Sequence, residues 1–148
     1  MRGARKEGAA LNQWLGKLLR LVRSVVRRCL MFAYRPLFER IGRNVWFDPF
    51  GEYSFENISI GDDCYLGPGT RILASETKVT IGSKVMFGPD VLLIGGDHNS
   101  SVIGEYMFDV KNKRPEDDQP IVIEKDVWIG ARVTILKGVR IGTGSIIA

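Results

Sequence analysis

The chain has 148 residues, 45% apolar and 26% charged, which is the composition of a globular domain and excludes a disordered or collagen-like polymer. Its formal charge of +4 is unevenly spread: residues 1–43 carry 11 Lys and Arg against 2 Asp and Glu, whereas residues 44–148 carry 10 against 15. A basic arm therefore precedes an acidic body, and with His98 as the single histidine, one chain cannot build a multi-histidine metal site. We therefore expect no bound metal.

The arm comes first. Leu11, Trp14, Leu15, Leu18, Leu19, Val22, Val25, Val26, Cys29 and Leu30 recur at spacings of three and four, the signature of one face of an α-helix. Lys17, Arg20, Arg23, Arg27 and Arg28 largely occupy the remaining surface, and Pro36 and Gly42 end the pattern. These cations also break the apolar run before it could span a bilayer. Two readings stay open. The helix packs on the body or on a neighbouring subunit, or residues 9–34 lie on an anionic membrane with Trp14 near the headgroups. No recognition motif accompanies the charge, so nucleic acid is not an expected partner. Cys29 and Cys64 are too few and too scattered for a disulfide framework, and both read as reduced, buried small hydrophobes of a cytosolic protein.

The body is a six-residue repeat. Ile60, Leu66 and Ile72 step by six; after a three-residue slip Ile81, Phe87 and Leu93 follow; after a longer interruption come Ile123, Ile129, Ile135, Ile141 and Ile147. Gly61, Gly67, Gly82, Gly88, Gly130 and Gly142 each follow one of these aliphatic or aromatic positions, and small or β-branched residues such as Cys64, Thr70, Val85, Val91 and Val127 stand four further on. A period of six does not suit an α-helix, but it suits short extended segments that each turn one large and one small side chain inward. A single segment cannot bury its own face, so the segments must stack as the coils of a solenoid. Ile41, Val45 and Phe47 read as an imperfect first coil. The domains expected are thus an arm over residues 1–43 and a solenoid over 44–148.

The stretches IGDDCYLGPGTR, IGSKVMFGPDVL and DVWIGARVTILKGVRIGTGSIIA resemble the hexapeptide-repeat acyltransferases, nearest the sugar and polysaccharide O-acetyltransferases and the xenobiotic acyltransferases. The resemblance implies a mainly β fold, a left-handed parallel β-helix of triangular section, here with an N-terminal amphipathic helix and a long loop extruded over residues 94–120. It also implies a homotrimer with active sites between subunits, while the reduced cysteines read as cytoplasmic and the basic arm as a contact with the inner face of the cell membrane. The expected reaction moves an acetyl group from acetyl-CoA to a hydroxyl of a capsular, exopolysaccharide or lipopolysaccharide sugar. The alternatives are another small hydroxyl acceptor, such as an antibiotic or serine, and a non-catalytic scaffold.

Within that resemblance His98 is the expected general base, because imidazole exchanges a proton near neutral pH and stands where the chain leaves the coil. Trp128, Gly130, Ala131 and Gly88 match the positions that border the acetyl and pantetheine groups of acetyl-CoA. Glu76, Asp97 and Asn99 are the expected acceptor contacts. Gly67, Pro68, Gly69 and Thr70 replace the polar segment of maltose- and galactoside-type members, which points toward a polysaccharide or lipid-linked acceptor. The family continues past the coil in which Ile146, Ile147 and Ala148 lie, so the chain reads as part of a longer enzyme.

Overall fold

The structure, a computed structural model, describes residues 2–148, with side-chain surroundings from residue 12 onward. Thirteen strands, numbered in chain order, form three parallel sheets wound into a solenoid. The first sheet holds β1 (Arg40–Ile41), β3 (Ile58–Ile60), β6 (Val79–Ile81), β9 (Ile121–Ile123) and β12 (Arg140–Ile141). The second holds β4 (Tyr65–Leu66), β7 (Met86–Phe87), β10 (Trp128–Ile129) and β13 (Ile146–Ile147), extended by a bridge from Trp46 to Tyr65. The third holds β2 (Glu52–Tyr53), β5 (Arg71–Leu73), β8 (Leu92–Ile94) and β11 (Thr134–Leu136).

The register explains the repeat. Ile41, Ile60, Ile81, Ile123 and Ile141 stand in one line across the first sheet; Leu66, Phe87, Ile129 and Ile147 line the second; Tyr53, Ile72, Leu93 and Ile135 line the third. Most of these side chains are fully buried, so every hexad position lies on a neighbour of its own kind in the next coil. The imperfect first coil is present, with Val45 and Phe47 in the core. At the corner between the first and second sheets, Asn44, Asp63, Lys84 and Asp126 occupy one stacked position with φ between 53° and 61°, and Gly144 takes it in the last coil. Short polar side chains tolerate that left-handed turn better than bulky ones.

The corner between the second and third sheets brings backbones together more closely. A Cβ on Gly88 would sit 2.7 Å from the Ala131 nitrogen, so glycine is required there by coil stacking itself. Every departure from the period falls on the remaining corner, between the third sheet and the first. The three-residue slip is the turn from Leu73 to Val79, and the excursion of residues 94–120 leaves one coil later.

Helix α1 (Arg2–Tyr34) precedes the coils and ends in a single 3-10 turn, Arg35–Leu37, that contains Pro36. Arg35 donates to the carbonyls of Val45 at 3.1 Å and Gly42 at 2.6 Å, tying the helix end to the first coil. Phe38 packs edge-on against Phe47, Tyr53 and Phe55, and Tyr34 against Phe55, forming an aromatic cap over the solenoid's first coil. Residues 38–43, grouped with the arm by sequence, thus belong to the body, since Phe38 is buried and β1 pairs with β3.

The arm itself differs from two expectations. Its apolar stripe does not pack on the body: Trp14, Leu15, Leu19, Val22, Val25 and Val26 are exposed. Contact with the solenoid comes from the opposite side, through Arg27, Met31 and Tyr34. Cys29 is therefore exposed rather than buried, because it belongs to the outward stripe; Cys64 is buried, and both thiols are free. Leu11, and residues 9 and 10 of the segment expected to meet a membrane, lie outside the residues whose side chains are described.

The excursion is closed at its neck. Gly96 and Asp118 form an antiparallel bridge, flanked by hydrogen bonds from Gln119 N–H to the Gly95 carbonyl (3.0 Å) and from Asp97 N–H to the Asp117 carbonyl (2.7 Å). A side chain on Gly96 would meet the Asp118 carboxylate, which would have to turn aside and give up its bonds to Lys113. Asp117 is buried and accepts from the Arg114 backbone at 2.8 Å and its guanidinium at 2.9 Å, which holds the Asp117 carboxyl below its ordinary value.

Two outcomes follow from this packing. Leu93→Ala, emptying the middle of one interior line, should cost about 2–5 kcal/mol in urea unfolding. Asp117→Asn should speed protease cleavage within residues 99–116 while the coils stay folded. Because the folded carboxyl titrates below its ordinary value of 3.8, its contribution is complete above that pH and disappears as pH falls through the lower folded value. With pepsin, the difference between the Asp117→Asn chain and the parent should therefore begin to narrow below about pH 4 and close once the pH is below the lower folded value.

Candidate active site

His98 stands one residue beyond the loop neck, so two backbone hydrogen bonds fix its place relative to β8. Two open clefts meet at it. The first, about 440 Å³, runs over the ends of the third sheet and is lined by Ser54, Ala74, Ile94, Asp97, His98 and Asp118, among others. The second, about 510 Å³, lies under the excursion and is more apolar, with Met107, Phe108 and Val110 beside His98. His98 and Lys113 border both.

Asp97 does not orient the imidazole. One of its oxygens accepts the backbone N–H of His98 at 3.2 Å, and the other lies 3.4 Å from Lys137 Nζ. Asn99 is buried and its amide is engaged within the loop: Nδ2 donates to the Asn112 carbonyl at 3.0 Å, and Oδ1 accepts from the backbone and hydroxyl of Ser101. Glu76 stands at the same corner one coil earlier, exposed, 3.6 Å from Lys113. Asp97, His98 and Glu76 are thus gathered at one corner, although only the first two line a cleft.

The ion group behind them was not singled out by sequence. Lys113 Nζ donates to both Asp118 oxygens, at 3.0 and 2.8 Å, and this bond, reinforced by Glu76, holds its ammonium above its ordinary range. A fixed cation therefore borders the position of His98. The one sequence signal is the run of Lys111, Lys113 and Arg114 followed by Glu116, Asp117 and Asp118, whose opposite charges suit a self-paired loop.

The positions expected to meet the acyl donor lie elsewhere. Trp128 projects outward from the second sheet, 47% exposed, in register with Met86 and Ile146 on the neighbouring strands. Gly88, Gly130 and Ala131 form the corner between the second and third sheets, where Gly88 packs on the backbone of the other two. Neither cleft at His98 is lined by any of these four residues.

The chain is similar to several known proteins. Residues 120–148 match the family described as bacterial transferase hexapeptide (six repeats). The galactoside O-acetyltransferase of Lactococcus lactis is 30% identical over 119 residues, covering 79% of this chain and 54% of that protein. The galactoside O-acetyltransferase of Escherichia coli K12 is 36% identical over 115 residues, covering 76% and 53%. The chain thus spans about half the length of the curated relatives it matches. A hexapeptide-repeat acetyltransferase of Vibrio cholerae, solved with acetyl coenzyme A, superposes with a TM-score of 0.66 at 31% identity, covering 77% of this chain and 59% of that one. With its interior lines of aliphatic residues and three parallel sheets, this chain is a hexapeptide-repeat protein built as a left-handed parallel β-helix, similar to the acetyltransferases it matches.

Proposed function

We propose that the chain forms the catalytic solenoid of an acetyl-CoA-dependent O-acetyltransferase whose acceptor is a saccharide hydroxyl. The observation that carries this reading is the position of His98, fixed by the loop neck at the junction of two clefts. The names of the matched relatives and the acetyl coenzyme A in the Vibrio protein support this donor and this acceptor class.

In the reaction, the imidazole of His98 takes the proton of the acceptor hydroxyl as its oxygen attacks the thioester carbonyl. The tetrahedral oxyanion then collapses, the carbon–sulfur bond breaks, and the CoA thiolate leaves with the proton held by the imidazolium. No covalent acyl-enzyme is formed: Cys64 is buried among the coils, and burial pushes its thiol up, away from the thiolate a nucleophile needs. Asp97 and Glu76 are the acceptor-side polar groups in this reading. Asn99 acts there by shaping the loop, since its amide is already bonded.

The separation of the two half-sites supports a homotrimer. His98 lies at one corner of the triangular section, whereas Trp128 stands on the second sheet and Gly88, Gly130 and Ala131 at the corner that follows it, so a donor and a base meet when one chain's excursion faces the second sheet of its neighbour. We place the protein in the cytoplasm, with acceptors drawn from capsular, exopolysaccharide or lipopolysaccharide assembly and the arm in peripheral contact with the inner face of an anionic membrane.

Acetyl-CoA at a hundred times its dissociation constant should stabilise the folded chain by about 2.7 kcal/mol, read as a raised thermal midpoint. His98→Ala should keep that shift and lower transfer to a saccharide acceptor by about 10²–10⁴-fold. Full transfer activity in the variant would sink the general-base assignment; an unmoved midpoint in the parent chain would sink the acetyl-CoA reading.

A further inference from the structure

The outward stripe of α1 has a defined shape. At about 100° per residue, Trp14, Leu15, Leu18, Leu19, Leu21, Val22, Val25, Val26, Cys29 and Phe32 fall within an arc of about 160°. The arc runs about 27 Å from Trp14 to Phe32 at the helical rise. Cys29 is exposed, and the large apolar side chains of the arc are between 38% and 80% exposed. Lys17 and Arg28 border one edge of the arc and Arg23 the other, and none of the three forms an ion pair among the described residues. The opposite side is held by the body: Arg27 lies 3.6 Å from the Asp48 carboxylate, over the rings of Trp46 and Phe50, while Met31 and Tyr34 reach the core. The solenoid therefore grips the helix by its back and presents the apolar arc away from itself.

Charge decides what can cover such an arc. From Gly8 to Phe38 the sequence contains no Asp or Glu, so a second copy of the helix would bring Lys17, Arg23 and Arg28 against their own kind with no carboxylate between them. Phosphate headgroups supply the missing anions while the acyl boundary takes the apolar arc, and long cationic side chains at its edges reach up to those headgroups. No described helix is long and apolar enough to cross a membrane.

We propose that α1 is an in-plane membrane helix: Trp14, Leu18, Val22, Val25 and Phe32 sink into one leaflet of an anionic bilayer, Lys17, Arg23 and Arg28 bind its phosphates, and the Arg27–Asp48 contact sets the solenoid's tilt above it. This gives a geometry to the peripheral contact proposed above and is independent of acyl transfer. The test uses vesicles of phosphatidylcholine alone and of phosphatidylcholine with phosphatidylglycerol. The chain should sediment with the anionic vesicles, less so as salt rises, and much less with the neutral ones. Leu18→Glu/Val22→Glu should abolish sedimentation, and Arg23→Glu/Arg28→Glu should weaken it by about thirtyfold or more, each with an unchanged thermal midpoint. Brominated lipid should quench the parent's fluorescence, and Trp14→Phe should remove most of that quenching. Binding that survives both double variants overturns the proposal. So does a parent chain that ignores vesicles but loses a helix-dependent oligomer on Leu18→Glu/Val22→Glu, which would make a second copy the occupant.

Discussion

Everything in this molecule depends on one packing constraint: each interior side chain must lie on its counterpart in the next coil. Parallel pairing sets that spacing, and the aliphatic lines through Ile60, Leu66 and Ile72 fill it. A coil has no hydrophobic face it can cover alone, so burial is shared between neighbours and the structure behaves as a stack. The aromatic cap of Phe38, Phe47, Tyr53 and Phe55 covers the first coil, where no earlier one is available to do so.

The same constraint determines where chemistry can be placed. Two corners are tight: at one, a left-handed backbone turn repeats through Asn44, Asp63, Lys84 and Asp126, and at the other Gly88 packs directly on the backbone of Gly130 and Ala131. Neither has room for an insertion without disturbing the register. The third corner carries all the irregular length, and it is also where Glu76, Asp97, His98 and Lys113 gather. Polar groups that would be costly inside the solenoid accumulate at the one place where the backbone leaves it.

Much of this was legible in the residues. The period of six at Ile60 to Ile147 carried the solenoid, because interior stacking admits few substitutes for an aliphatic side chain. The position of His98 at the start of the excursion was legible for the same reason: the repeat stops there. What the sequence concealed were contacts between segments without a period. The antiparallel neck from Gly95 to Gln119, the bond between buried Asp117 and exposed Arg114, and the bridging role of Lys113 depend on how two distant ends of a loop meet. The arm misled for a different reason. Apolar spacing along α1 marks a face that needs covering but does not say by what, and Cys29, on that face, is exposed because the helix turns it away from the body.

The neck of the excursion also separates two properties that loops ordinarily tie together. Because Gly96 and Asp118 are paired across its base, the placement of His98 is set by the coil and the neck, whatever length of chain lies beyond. Residues between Ser101 and Asn112 can lengthen, shorten or change character without moving the backbone of His98, provided the two ends return to the same antiparallel register. The solenoid acts as a fixed ruler for the base, and the excursion as an exchangeable wall of the cleft, so diversity in what the cleft accepts need not compete with accuracy in where the proton is taken.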